Sequence, residues 1–225
     1  MNNKDFFENT VPATEQLKNT EYVTFNYAKN AKLKIAFVGN SITRHGVKEE
    51  IGWTRDCGMA ASCKEKDYVH LVVKALEEKY GAVSYCICQA VAWEYAFDKD
   101  EEVLRPFACE RQFDPDIVVL RIGENSDIEL LKKGDYYEHF DFMAKYFFTE
   151  RAKKVVTSLF WRYDPIDIPI EKVAKDNGYI YVSIYEYGRK DDCKALTEFT
   201  HGGVAKHPND KGMRMIADAI LKVLL

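Results

Sequence analysis

Short apolar runs along this chain are separated by stretches with helical spacing. The first clear run, 33–39 (LKIAFVG), is largely apolar and ends in a glycine, as expected of a buried parallel strand. The runs 83–88, 116–122, 154–160 and 179–184 have the same character and predict four more strands. Asp67 is a good N-cap for a helix whose apolar positions Tyr68, Leu71, Val72, Ala75 and Leu76 recur at helical spacing until Gly81. A helix is predicted over 136–148, its many Tyr and Phe residues read as core. Pro169 is placed near the start of a further helix that Gly178 closes. The last helix follows Pro208 and Asn209 and puts Met213, Ile216, Ala217, Ile220 and Leu224 on one face.

Strands that alternate with helices imply a parallel sheet covered on both faces, because each parallel crossover must run over a face. Five such strands predict a three-layer α/β/α fold, an open doubly wound sheet of about five strands. Its ligands should bind at the carboxyl ends of the strands. Residues 33–225 read as one domain. Residues 1–32 read as an N-terminal extension packed on it, with one strand-like patch at 22–25. The segment 44–66 is a long loop containing Gly46, Gly52 and Gly58, and its Ile51, Trp53 and Met59 are candidates to overhang a site.

The composition is that of an ordinary globular protein: 225 residues, 47% hydrophobic and 30% charged. Lys and Arg number 32 against 36 Asp and Glu, a net charge of −4, which argues against a general nucleic-acid binder. No apolar run approaches the roughly 20 residues that cross a bilayer. The polar start MNNKDFFENT lacks the apolar centre of a signal peptide, so the chain reads as cytoplasmic. Its six cysteines include no C-x-x-C pair and read as core thiols, with no metal site implied.

Three short segments fall where ligands should bind. Gly39-Asn40-Ser41 follows the first predicted strand, Gly123-Glu124-Asn125 follows the third, and His207-Pro208-Asn209 precedes the last helix. They would bring a nucleophile, a side-chain amide and a base to one end of the sheet. Neither a phosphate-binding loop nor a G-x-G-x-x-G fingerprint follows the first strand, so no cofactor is called for.

In this order and placement the three segments resemble the blocks of the SGNH superfamily, the GDSL-type esterases and lipases. Asn40 stands where the family has Asp. The resemblance covers 33–225 and implies the flavodoxin-like SGNH-hydrolase fold. It also implies that His207 draws the proton from Ser41, which attacks an ester carbonyl and forms an acyl-enzyme. The oxyanion would be held by the backbone N–H groups of Ser41 and Trp93 and by the Asn125 amide. Trp93 stands by spacing at the family's usual Gly, with Ala92 the near alternative. The family's Asp three residues before the His is replaced by Val204. A Ser41–His207 dyad oriented by a main-chain carbonyl or water is therefore expected, rather than a carboxylate from Asp191, Asp192 or Glu198. Activity should fall as pH drops through the histidine range, roughly 6–7, because His207 must be neutral to act as base.

Asn40, His45, Trp53, Trp93 and Glu124 are candidates to touch substrate. With aromatic residues available to stack on sugar rings, an acetylated carbohydrate is the first substrate expected, with no nucleic-acid partner. The alternatives are an acyltransferase, a lysophospholipase or thioesterase of the same superfamily, and a non-catalytic binding protein on a decayed esterase fold.

Overall fold

The apolar runs become strands because each buries side chains on both of its faces. The structure, a computed structural model, describes residues 11–225. The expected packing of residues 1–10 lies outside the described residues. The strands are β1 (Val23–Asn26), β2 (Leu33–Gly39), β3 (Val83–Gln89), β4 (Ile117–Arg121), β5 (Lys153–Thr157) and β6 (Ile180–Val182), in the sheet order β1-β3-β2-β4-β5-β6. From β3 to β6 every neighbouring pair is parallel, and only the edge strand β1 runs antiparallel, against β3. The sequence predicted about five strands. The sixth is the 22–25 patch, whose Val23 and Phe25 point into the core while Thr24 and Asn26 do not.

Along the helical path lie α1 (Tyr68–Tyr80), α2 (Val91–Tyr95), α3 (Asp100–Leu104), α4 (Ala108–Phe113), α5 (Ile128–Leu131) and α6 (Tyr136–Phe147). They are followed by α7 (Asp164–Asp176), α8 (Tyr185–Gly188), α9 (Gly202–Ala205) and α10 (Asp210–Leu224). Alternate residues of β2 serve opposite layers, as strand pleating requires. Ile35 and Phe37 pack with α1 and α10 on one face, and Ala36 and Val38 pack with α4, α6 and α7 on the other. Asp67 caps α1 by accepting from the His70 N–H at 2.9 Å.

One helix boundary differs from the reading of the sequence. Pro169 lies inside α7, not near its start. It is Pro165 that occupies the first turn, where a missing N–H costs no hydrogen bond.

β2 leads to β3 on one side, and β4 pairs with β2 on the other, so the strand order reverses between β2 and β4. The crevice at their carboxyl ends is where an open α/β sheet presents its binding site.

Candidate active site

Ser41 stands one residue beyond Asn40 at the end of β2. Gly39 lets the chain turn there, since a Cβ at Gly39 would lie 2.0 Å from Thr43 Oγ1 and 2.6 Å from the Arg121 carbonyl oxygen. The Thr43 and Arg44 N–H groups bond back to the Asn40 carbonyl at 2.9 and 3.0 Å, which closes the turn and leaves Ser41 at its outer edge.

His207 reaches Ser41 from the other end of the chain. Asn209 caps α10 by accepting from the Gly212 N–H at 3.0 Å. The Asn209 amide donates to the Asp192 and Lys194 carbonyls, which fixes the segment just before the helix. Ser41 Oγ and His207 Nε2 are 2.8 Å apart. On the far side of the ring, Nδ1 is 2.7 Å from the Gly203 carbonyl oxygen. A carbonyl can only accept, so Nδ1 carries the proton and Nε2 presents a lone pair to the Ser41 hydroxyl. The orienting partner of the imidazole is thus a main-chain carbonyl. The Trp161 ring meets His207 edge-on, with centroids 5.2 Å apart. Burial lowers the His207 pKa to about 4, and the Arg121 charge pushes the same way. The imidazole is therefore neutral well below the range expected of an ordinary histidine.

Ser41, Asn125 and His207 line one cavity of about 410 Å³, together with His45, Ile51, Met59, Gln89, Val91, Tyr95, His201, Gly203 and Val204. Four residues expected to face the substrate do not line it. Trp93 is wholly buried against Phe97, Tyr136 and Phe140, and its indole N–H donates to Asp100 at 2.7 Å. Its backbone N–H is used as well, bonded to the Ala90 carbonyl at 3.0 Å, so Trp93 is not free to stabilise an oxyanion. The Ala92 N–H, in the first turn of α2, bonds no acceptor among the described residues, and neither does that of Ser41. Trp53 is also fully buried, packs on Phe199, and donates its indole N–H to the His45 carbonyl.

Asn40 and Glu124 belong instead to a buried polar cluster behind the cavity. The Asn40 amide donates to Glu94 Oε1 at 2.9 Å and to Glu124 Oε2 at 2.7 Å. Arg121, fully buried at the end of β4, grips Glu124 through two nitrogens at 2.5 and 3.0 Å and also donates to Asn40 Oδ1. The Phe160 N–H donates to Glu124 at 3.0 Å. Although burial opposes its charge, the Arg121 guanidinium holds Glu124 below the usual carboxylate range. Both side chains are satisfied within the protein, which leaves no face for a substrate.

The residue that sequence reasoning missed is Glu94, on α2. Its Oε1 accepts from the Gly123 N–H at 2.6 Å and from the Asn125 N–H at 3.2 Å, and its Oε2 accepts from Asn125 Nδ2 at 2.7 Å. Burial, reinforced by the nearby negative charge of Glu124, raises its pKa to about 7 against the pull of these donors. Gly123 can take part because its φ is +134° and because a Cβ there would lie 2.8 Å from Leu159 Cδ2. In the sequence Glu94 is simply the Glu after Trp93, with no local sign of these contacts.

Among the described residues, no group of three or more His, Cys, Asp or Glu is placed to hold a metal ion. No described helix is long and apolar enough to cross a membrane.

No family profile matches the chain, and no curated protein matches it by sequence. Solved structures do match. A two-domain esterase (CEX) active on acetylated mannans superposes with a TM-score of 0.57 at 19% identity over 85% of this chain. This chain corresponds to 49% of that larger protein. A single-site variant of Axe2, an acetyl xylan esterase from Geobacillus stearothermophilus, gives 0.54 at 17% identity, over 85% of this chain and 94% of its own. The esterase EstA from Pseudoalteromonas sp. gives 0.55 at 14% identity, over 86% and 97%. These likenesses establish the architecture: the chain has the SGNH-hydrolase fold that its three sequence blocks implied.

Proposed function

We propose that this protein is a serine esterase that removes short acyl groups, acetyl first among them, from a carbohydrate. The observation that carries the reading is the 2.8 Å contact between Ser41 Oγ and the unprotonated Nε2 of His207, in a cavity that Asn125 also lines. His207 takes the hydroxyl proton as Ser41 attacks the carbonyl carbon, and the carbonyl oxygen becomes an oxyanion. The Asn125 amide and the free N–H groups of Ser41 and Ala92 are the donors assigned to it. His207 then protonates the leaving sugar oxygen, and a water activated by the same ring releases the acid.

The sugar assignment draws on the cavity wall and on the neighbours that act on acetylated mannans and xylan. With Trp53 and Trp93 buried, the ring platform falls to Tyr95, which lines the cavity yet is 59% exposed. Ile51, Met59, Val91 and Val204 supply apolar surface for a small acyl chain. The cysteines are all unpaired, which suits the reducing compartment proposed from the sequence.

The test is hydrolysis of p-nitrophenyl acetate and of acetylated xylo- and manno-oligosaccharides, with labelling by a fluorophosphonate. Acetate release together with labelling at Ser41 is expected. A folded protein that neither labels nor hydrolyses any of them would overturn the reading.

A further inference from the structure

An asparagine amide has two ends of nearly equal shape, one a donor and one an acceptor. Only the donor end can stabilise an oxyanion, so a hole built on Asn125 needs something that forbids the flipped amide. We propose that Glu94 is this positioning residue: its carboxylate fixes Asn125 with Nδ2, rather than Oδ1, turned toward the reacting carbonyl oxygen. The inference rests on the reading of Ser41 as nucleophile and Asn125 as oxyanion donor.

The geometry argues for it from both sides of the contact. Asn125 Nδ2 donates one hydrogen to Glu94 Oε2 at 2.7 Å, which leaves its second hydrogen for the cavity. In the flipped amide, Oδ1 would sit at hydrogen-bond distance from a carboxylate oxygen, and two acceptors repel at that range. Glu94 is held still in turn. Its Oε1 takes three N–H donors, from Asn40 at 2.9 Å, Gly123 at 2.6 Å and Asn125 at 3.2 Å. All four groups that meet this carboxylate are donors, and only the ionised form meets them with no O–H of its own to place among them. A glutamine in its place must aim an NH2 group at one of them. If that group meets Asn125, the amide relaxes by flipping, and Oδ1 then faces the hole. The same short helix bears the unpaired Ala92 N–H. One element would thus set a backbone donor of the hole and the orientation of its side-chain donor.

Protonation of Glu94 should have the same consequence as glutamine, since one acceptor becomes a donor. The groups that face it are Asn40 after β2, Arg121, Glu124 and Asn125 around the end of β4, Tyr136 on α6 and Tyr95 on its own helix. Burial and Glu124 place this protonation at about pH 7, whereas His207 stays neutral down to about 4. The acid limb of kcat should therefore belong to Glu94 and not to the base.

The experiment compares kcat and KM on p-nitrophenyl acetate for the unsubstituted protein, Glu94→Gln, Asn125→Ala and the double variant, with folding followed by circular dichroism. Glu94→Gln should lose about 10²-fold in kcat, the scale of one oxyanion donor, with KM within about threefold. The double variant should be no more than about threefold slower than Asn125→Ala, because both changes remove one device. Residual Glu94→Gln activity should be flat from pH 8 to 5.5. A folded Glu94→Gln protein with kcat within threefold of the unsubstituted one, or fully additive losses in the double variant, overturns the inference. Should Glu94→Gln fail to fold, the unsubstituted protein decides. An acid limb near pH 7 with the His207 carbon resonances titrating well below it supports Glu94, and a limb that coincides with the His207 titration overturns it. The underlying reading fails separately, through an active Ser41→Ala or an Asn125→Ala within a few fold of normal.

Discussion

Among the described residues two glutamates, Glu94 and Glu110, are fully buried, and they live in opposite surroundings. Glu94 accepts four hydrogen bonds, from the segments that follow β2 and β4. Glu110, on α4 beneath β3, has no partner for either carboxylate oxygen. Burial pushes both up, Glu94 only to about 7 although a second carboxylate nearby adds to the push, and Glu110 to about 8. The donors therefore offset in Glu94 a desolvation that Glu110 meets almost alone, with only Arg111 opposing it. A buried carboxylate with both oxygens engaged marks a device that orients something. One with neither engaged marks a group the fold keeps protonated at neutral pH, at a cost in stability as pH rises.

The contrast would be broken most directly on its functional side. Ser41→Ala should abolish ester hydrolysis, a loss of about 10⁴-fold or more, with the circular dichroism spectrum unchanged. Retained turnover would remove the reason for an oriented amide behind Ser41. Asn125→Ala should cost about 10²–10³-fold in kcat. Glu110→Gln, assayed beside it, should leave kcat within about twofold. If Glu110→Gln were as damaging as Asn125→Ala, the two carboxylates would not differ in the way argued.

On the stability side the order reverses. In the unfolded chain Glu110 ionises near 4.5, and in the folded protein near 8. Between those values the folded state holds a proton that the unfolded state has released, so stability falls as pH rises and levels off above 8. The slope from this one group is about 1 kcal/mol per pH unit. Glu94 acts with the same sign up to about 7, so the informative quantity is a difference. Glu110→Met removes the ionisation and the unpaired polar atoms together. It should be more stable than the unsubstituted protein, by a margin that widens from pH 5 to pH 8 in urea titrations. A margin that stays constant with pH would show that Glu110 is already ionised in the folded state over this range, its pKa not raised by burial.

The same contrast explains what could be read in the sequence. β2 has the predicted bounds, and the predicted centres of β3 to β6 hold, because runs such as LKIAFVG must be buried on both faces wherever they lie. Ser41, Asn125 and His207 stood out because each falls at a strand or helix end. The segment from Ala92 to Phe113 was opaque. Its helices α2, α3 and α4 are 5, 5 and 6 residues long, too short for a periodicity to emerge. Trp93 looked like a pocket wall, but its ring has its hydrogen-bond partner and aromatic neighbours in the core. Glu94 and Glu110 carry no sign of their burial in the sequence. Nothing local separates them, because the donors of Glu94 come from residues 40, 123 and 125 and exist only once β2 and β4 are paired.

The smallest effect expected concerns a third kind of carboxylate, the exposed ones near His207. Asp191 pairs with Lys194 at 2.7 Å and Asp192 with Lys211 at 2.5 Å, and Glu198 is exposed. The ring nitrogen that any of them would have to reach already donates to the Gly203 carbonyl at 2.7 Å. A neutral carbonyl fixes the tautomer as an aspartate would, but under the proposed mechanism it would not compensate the imidazolium formed when Ser41 gives up its proton. The His207 pKa, lowered rather than raised, agrees with the absence of a negative partner on that nitrogen. Replacing Asp191, Asp192 or Glu198 singly by Ala should therefore leave kcat within about threefold. A loss of tenfold or more at one of these positions, with KM and folding unchanged, would mean that a carboxylate swings onto His207 during turnover. The orienting group would then be a recruited acid, and the dyad would be only its resting form.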